Sequence, residues 1–171
     1  MTGEIRREQI LQLLQQQEKP ISGTALAKHF SVSRQVIVQD IALMRAENHQ
    51  IISTHNGYLY RTQAQQNTQP KRVFCVKHTT DQVLEEFVAV LELGGKILDV
   101  AVEHELYGQI RVELLIESVQ DAQEFVNRML VCKDNPLKVL TDDCHYHTVA
   151  APSEKLLDLI QQELESKGFL K

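Results

Sequence analysis

Nine consecutive residues, Thr62-Gln-Ala-Gln-Gln-Asn-Thr-Gln-Pro70, hold no apolar side chain larger than alanine and end in proline. Such a stretch has nothing to bury, so it reads as a linker, and no single hydrophobic core can run through it. A chain of 171 residues cut at that point is expected to fold as two small modules, residues 1–65 and 71–171. Charge divides at the same place. Residues 1–65 carry seven bases (Arg6, Arg7, Lys19, Lys28, Arg34, Arg45, Arg61) against five acids (Glu4, Glu8, Glu18, Asp40, Glu47). With 18 Lys+Arg and 23 Asp+Glu in the whole chain, the rest holds 11 bases and 18 acids. A mildly basic front and an acidic back point to different partners, so an overall pI near 5.8 does not argue against nucleic acid.

Several classes drop out early. A content of 43% hydrophobic and 24% charged residues is that of a globular chain and not of a disordered one. No apolar run approaches the ~18–20 residues of a membrane span. The opening MTGEIRREQI has charges with no apolar segment behind them, so it is not a secretory signal. Cys75, Cys132 and Cys144 form no CxxC pair and suggest no disulfide framework, the usage expected in a reduced cytoplasm.

In the front module Ile5, Ile10, Leu11 and Leu14 follow helical spacing and predict a helix over roughly 3–17, stopped before Pro20. A second helix is expected to start after Ser22 or Thr24, with Ala25, Leu26 and Phe30 on its apolar side. Ser33 is an apt N-cap for a third, in which Ile37, Ile41 and Met44 form the core stripe. The opposite side shows Arg34, Gln35, Val38, Gln39 and Ala42. Two short β runs over Ile51–Tyr60 flank Asn56-Gly57, which predicts a type I′ hairpin. Three helices and a hairpin make a winged helix-turn-helix, whose second helix of the pair reads the major groove of double-stranded operator DNA. Arg34 suits guanine, while Gln35 and Gln39 suit adenine. Thr24 and Ser33, at helix N-termini, suit phosphates, and His55 and Arg61 on or beside the wing suit the backbone or minor groove. The plainer reading is a solvated helix face on a small protein-binding domain. Against it, ISGTALAKHFSVSRQVIVQDIALMR closely resembles the helix-turn-helix of bacterial regulators.

The back module reads β-α-β-β-α-β-α. Strands are expected over 73–76, 97–102, 110–116 and 144–150. Helices carry Leu84, Phe87, Val88 and Leu91, then Ala122, Phe125, Val126 and Met129, then Leu156, Leu157, Ile160 and Leu164. The first six elements predict a ferredoxin-like βαββαβ domain with an extra C-terminal helix, an antiparallel sheet with helices on one face; the class is α+β. Residues two apart on a strand share a face, so His145-Tyr146-His147 directs two imidazoles to one side. His78 closes the first strand, and Glu86 lies in the helix that follows. A lone strand histidine is ordinarily a packed side chain and a helix glutamate a solvated one. Together, though, three imidazoles and a carboxylate are an ordinary donor set for Zn, Ni, Fe, Co or Mn, and spacing does not choose among them.

The runs Val76-Lys-His-Thr-Thr80, Glu86, Val102-Glu-His-Glu-Leu-Tyr-Gly108 and Leu140-Thr-Asp-Asp-Cys-His-Tyr-His-Thr148 resemble the three-histidine (3H) domain. Joined to this helix-turn-helix, the chain is similar over nearly its whole length to niacin-responsive repressors of the NiaR type. One stretch departs: where relatives often carry His-Pro-x-Tyr-Gly, this chain has His104-Glu105-Leu106-Tyr107-Gly108. The resemblance implies a cytoplasmic, homodimeric repressor, not an enzyme, that takes nicotinic acid as co-repressor and controls genes of niacin uptake or NAD biosynthesis. It implies metal ligands at His78, Glu86, His145 and His147. An open metal position beside His78, His145 and His147 would accept nicotinate, with Arg111 or Lys138 as a cationic contact and Tyr107 or Tyr146 stacking on the ring, though Tyr146 is expected to point away from the histidines' face. Dimerisation is expected through the back module. Two other readings stay open: a metal-dependent enzyme in which Glu86 is a general base, and a repressor that senses the metal itself.

Overall fold

The computed structural model describes residues 2–61 and 68–171, which gather into two compact units. Most of the expected linker over 62–70 lies outside the described residues. The front unit contains α1 (Gly3–Gln16), α2 (Gly23–His29), α3 (Arg34–Ala46), β1 (Ile51–Thr54) and β2 (Gly57–Tyr60). Side-chain oxygens cap all three helices: Thr2 accepts from Ile5 N–H, Ser22 from Ala25 N–H and Ser33 from Val36 N–H. Of the two expected starts for the second helix, Ser22 is the one used, which leaves Thr24 exposed within the first turn. Ile10, Leu14, Leu26, Ile37, Ile41 and Met44 meet in one core, each at most 1% exposed.

Two polar links hold α3 in place. Asp40, buried on its inner side, accepts from Arg6 Nε (2.6 Å) and Nη2 (3.3 Å) of α1. Arg45 donates to Ile51 O (2.7 Å) and Ser53 Oγ (2.8 Å), tying the end of α3 to the wing. A hairpin forms as expected, but it turns at His55-Asn56, one residue before the expected Asn56-Gly57, and it is not type I′, which needs positive φ at both central residues; neither has it. Instead Asn56 N–H donates to Thr54 Oγ1, and Gly57 takes φ +138. A Cβ on Gly57 would stand 2.2 Å from Ile21 O, because Ile21 and Tyr58 exchange backbone hydrogen bonds across that gap. Close approach, and not the turn type, requires this glycine.

The back unit runs β3 (Lys71–Lys77), α4 (Val83–Leu91), β4 (Lys96–His104), β5 (Gly108–Ile116), α5 (Val119–Val131), β6 (Cys144–Ala150) and α6 (Glu154–Ser166). Short 3-10 turns over Thr80–Gln82 and Leu137–Thr141 precede α4 and β6. The α+β class and the βαββαβα element order are as expected. The four strands lie in the order β5-β4-β6-β3, with every neighbouring pair antiparallel. Thus β3 and β4, joined through α4, run parallel with β6 between them, and β5 and β6, joined through α5, are split by β4. The usual ferredoxin order puts the first and third strands of the domain inside; here its second and fourth, β4 and β6, are the inner pair. Phe87, Val90, Leu157 and Ile160 of the helices close over Phe74, Val76, Ile97 and Val149 of the sheet. After α6 the chain turns at Gly168 (φ +71) and Leu170 pairs with Val76, covering the outer edge of β3.

Candidate functional site

Strand alternation builds the site. On β6, His145, His147 and Val149 point to the helical side of the sheet, and register sets Val76 against His145 and Phe74 against His147. His78 lies one residue past β3, at the same end of the strand pair as His145. Glu86 enters from the first turn of α4, where Val83, Phe87 and Val90 bury the same flank of the helix. All four polar side chains are 5% exposed or less.

The three rings surround one carboxylate. His78 Nε2 is 2.8 Å from Glu86 Oε2, His145 Nε2 is 4.0 Å from the same oxygen, and His147 Nε2 is 3.4 Å from Oε1. Donor atoms of His78, Glu86 and His145 all fall within 4.8 Å of one another. Each ring is turned by its other nitrogen. His78 Nδ1 donates to Thr79 O (2.8 Å), His145 Nδ1 to Asp143 O (2.9 Å) and His147 Nδ1 to Asp99 O (2.6 Å). A carbonyl only accepts, so each Nδ1 carries a proton, and in the neutral ring Nε2 is left with a lone pair. Three lone pairs then face a carboxylate in a dry interior, an arrangement that repels itself unless cationic charge enters. Protons supply it in part. Burial drives Glu86 up, but the His147 charge and hydrogen bonds from all three rings hold its carboxyl well below the usual range. Burial drives His147 down, and the Glu86 charge and hydrogen bond outweigh it and leave His147 above its ordinary value. At His145 burial wins over the Glu86 hydrogen bond, and the ring is lowered. The donor chemistry fits a divalent transition metal: Nε2 donors fixed in tautomer by backbone carbonyls, with one anion among them.

Other groups complete the site that the sequence reading did not single out as its supports. Asp142 and Asp143 both take left-handed φ (52 and 63), a conformation Asp tolerates better than most residues, and this turn carries the Asp143 carbonyl that His145 uses. Lys138, 3% exposed, donates to His78 O (3.0 Å) and is paired with Asp143, bridging the two ends of the histidine set. Periodicity holds no signal for it, since it lies in a 3-10 turn. Asp99 gives its carbonyl to His147 and its carboxylate to Thr148 N–H and Arg111 (3.3 Å). Arg111 is therefore engaged with Asp99, and Tyr107, 73% exposed on the β4–β5 hairpin, lies against the His104 ring; neither contacts the four-residue cluster.

In the front unit, α3 presents Arg34, Gln35, Val38 and Gln39 on its exposed side. Thr24 and Ser33 are exposed at the helix starts, and His55 is half-buried in the hairpin turn. Arg34, Gln35, Val38 and Gln39, at i, i+1, i+4 and i+5, share one face of α3.

A model of the 3H domain matches residues 71–171, and one of a helix-turn-helix domain matches residues 6–59. The "Probable transcription repressor NiaR" of Thermotoga maritima is 41% identical over 165 residues, covering 96% of this chain and 93% of its own length. The "Transcription repressor NadR" of Bacillus subtilis is 36% identical over 171 residues, covering 99% and 95%. Both names are those of transcription repressors, which speaks for a regulator over the reading of Glu86 as a catalytic base. With both domains matched and two transcription repressors aligned over nearly the whole chain, the chain belongs to the family of helix-turn-helix transcription repressors that carry a 3H domain.

Proposed function

We propose that this repressor binds operator DNA in response to nicotinic acid, acting as co-repressor at a metal centre in the 3H domain, and so controls genes of niacin uptake or NAD biosynthesis in the cytoplasm. The observation that carries the metal is the cluster itself: three Nδ1-anchored imidazoles turned onto the buried Glu86. His78, Glu86, His145 and His147 would hold the ion, which supplies a local positive charge that an acidic domain lacks and that a planar carboxylate effector needs. The effector assignment rests on the motif resemblance around these residues, with Arg111 and Tyr107 as further candidates for contact. Arg34, Gln35 and Gln39 are the proposed base readers, and Thr24, Ser33 and His55 the backbone contacts. Two copies of the chain, paired through the 3H domain, would set two recognition helices on half-sites one helical turn, ~34–36 Å, or a multiple apart. Effector binding then raises DNA affinity only through preference for the dimer geometry that fits the spacing.

The test is fluorescence anisotropy on a duplex selected from random sequence by this protein, at fixed salt, with metal-loaded protein and with or without nicotinic acid. A coupling of ~1–3 kcal/mol would tighten binding ~5–150-fold. The gain should vanish in a His145→Ala/His147→Ala variant whose front unit still binds at the basal level. Affinity that follows the metal alone, with nicotinic acid inert, would overturn the effector assignment and leave a metal-sensing repressor.

A further inference from the structure

Cys75 and Cys144 take no part in the histidine cluster. They lie on the adjacent strands β3 and β6, on the sheet face opposite His145 and His147, since Cys75 is in register with Tyr146 and Cys144 with Lys77. That register makes them diagonal neighbours, and their Sγ atoms are 3.7 Å apart, in direct contact. Both are half-buried, so each keeps some exposure to solvent. The segment after α6 borders the pair: Lys171 N–H donates to Cys75 O (3.1 Å), and Lys171 Nζ lies 3.8 Å from Cys144 Sγ. Cys132, exposed just past α5, stands apart from them.

We propose that Cys75 and Cys144 form a reversible redox pair, oxidised by a hydroperoxide to a disulfide that crosslinks β3 and β6. The sulfurs must close by about 1.7 Å to reach the ~2.05 Å of a disulfide. The Cys144 sulfur, with the Lys171 ammonium against it, attacks the peroxide oxygen; the O–O bond breaks, the alcohol (or water) leaves, and Cys144 becomes a sulfenic acid. The Cys75 sulfur then attacks Cys144 and releases water. In sum, two thiols and one hydroperoxide give one disulfide, one alcohol and one water, with two electrons passing from the sulfurs to the peroxide. The crosslink joins the strand that leads into His78 to the one that carries His145 and His147, back to back with the cluster.

The experiment uses the full-length chain with Cys132→Ser, in metal-free buffer, treated with equimolar hydrogen peroxide. Both remaining thiols should be lost together, the intact mass should fall by two hydrogens, and a Cys75–Cys144 peptide should be found. The thermal midpoint of the back unit should rise by several degrees and return with dithiothreitol, because the unfolded chain loses the freedom of the long loop between the two residues. Adding Cys75→Ser should abolish the mass loss and the rise. Oxygen added to the sulfurs without a crosslink, a disulfide formed only between chains, or thiols that survive peroxide sufficient to oxidise Cys132 in the parent protein would each overturn the proposal.

Discussion

Replacing Glu86 by glutamine separates a metal centre from a merely packed polar cluster. The amide keeps the shape of the side chain and removes the one anion that the three rings face. In the metal-free protein the direct attraction lost, between Glu86 and a protonated His147 at 3.4 Å, is about 5 kcal/mol at an effective dielectric near 20. Burying both charges costs several kcal/mol for each, so the net contribution of the pair is far smaller. His147 can also shed its proton once the partner is gone, so at pH 8 the variant buries no uncompensated charge. The metal-free variant should therefore lie within ~1–2 kcal/mol of the parent in urea unfolding of the back unit. Metal binding should behave differently. Loss of one donor in four, and the anionic one, ought to exceed the 10–100-fold effect typical of groups behind the ligands. A drop of at least ~100-fold is about 2.7 kcal/mol. Isothermal titration of Co²⁺ or Zn²⁺, with the rise of Tm at saturating metal as a second readout, measures it. The reasoning fails if Glu86→Gln destabilises the metal-free protein by ~3–5 kcal/mol while neither protein gains stability from metal. Glu86 would then be the keystone of a polar core and not a ligand.

Raising pH should act with opposite sign on the two forms. His147 is lifted above its ordinary value, so its pairing with Glu86 stabilises the metal-free fold fully at lower pH and is lost as pH rises through that lifted value. The lowered His145 has already become neutral by then, so metal-free Tm should fall across this window while metal-loaded Tm rises, as protons cease to compete with the ion. Arg34→Ala should weaken operator binding by ~1–3 kcal/mol and relax preference at one base pair, read by binding selection; equal weakening on all sequences would make Arg34 a phosphate contact. Asp40→Ala removes the carboxylate that holds Arg6 at 2.6 Å and leaves a largely buried guanidinium facing α3. It should cost ~2–3 kcal/mol in chemical denaturation of the front unit, and a change under 0.5 kcal/mol would show that Arg6 simply turns to water. Lys138→Met keeps the aliphatic stem but orphans His78 O, and it should weaken metal binding at least 10-fold with little change in DNA binding by the metal-free protein.

What was legible in the sequence is what residues a few positions apart decide among themselves. Ser33 and Ser118 cap helices because a hydroxyl three residues before a free N–H reaches it whatever lies elsewhere. The strand Cys144–Ala150 fell on its expected residues, and period two placed His145 and His147 on one face before any neighbour was known. The failures are of the other kind. Asn56-Gly57 is a strong local signal for a type I′ turn, yet the glycine serves the passage of Ile21, some 35 residues earlier in the chain. Strand order could not be read, because both βαβ connections are compatible with either inner pair, and what chooses β4 and β6 is packing between distant elements. The same division runs through the site. Strand and helix period place His145, His147 and Glu86 on their faces, and His78 follows directly on a strand end, so the sequence could put the four proposed donors near one another. Their aim is set by the carbonyls of Thr79, Asp143 and Asp99 and by the buried ammonium of Lys138, and backbone groups of this kind leave no residue type to recognise. A substitution that spares all four proposed ligands but moves the Asp142-Asp143 turn should therefore weaken metal binding in titration as much as loss of one of them, since the Nε2 lone pair of His145 points where Asp143 O directs it.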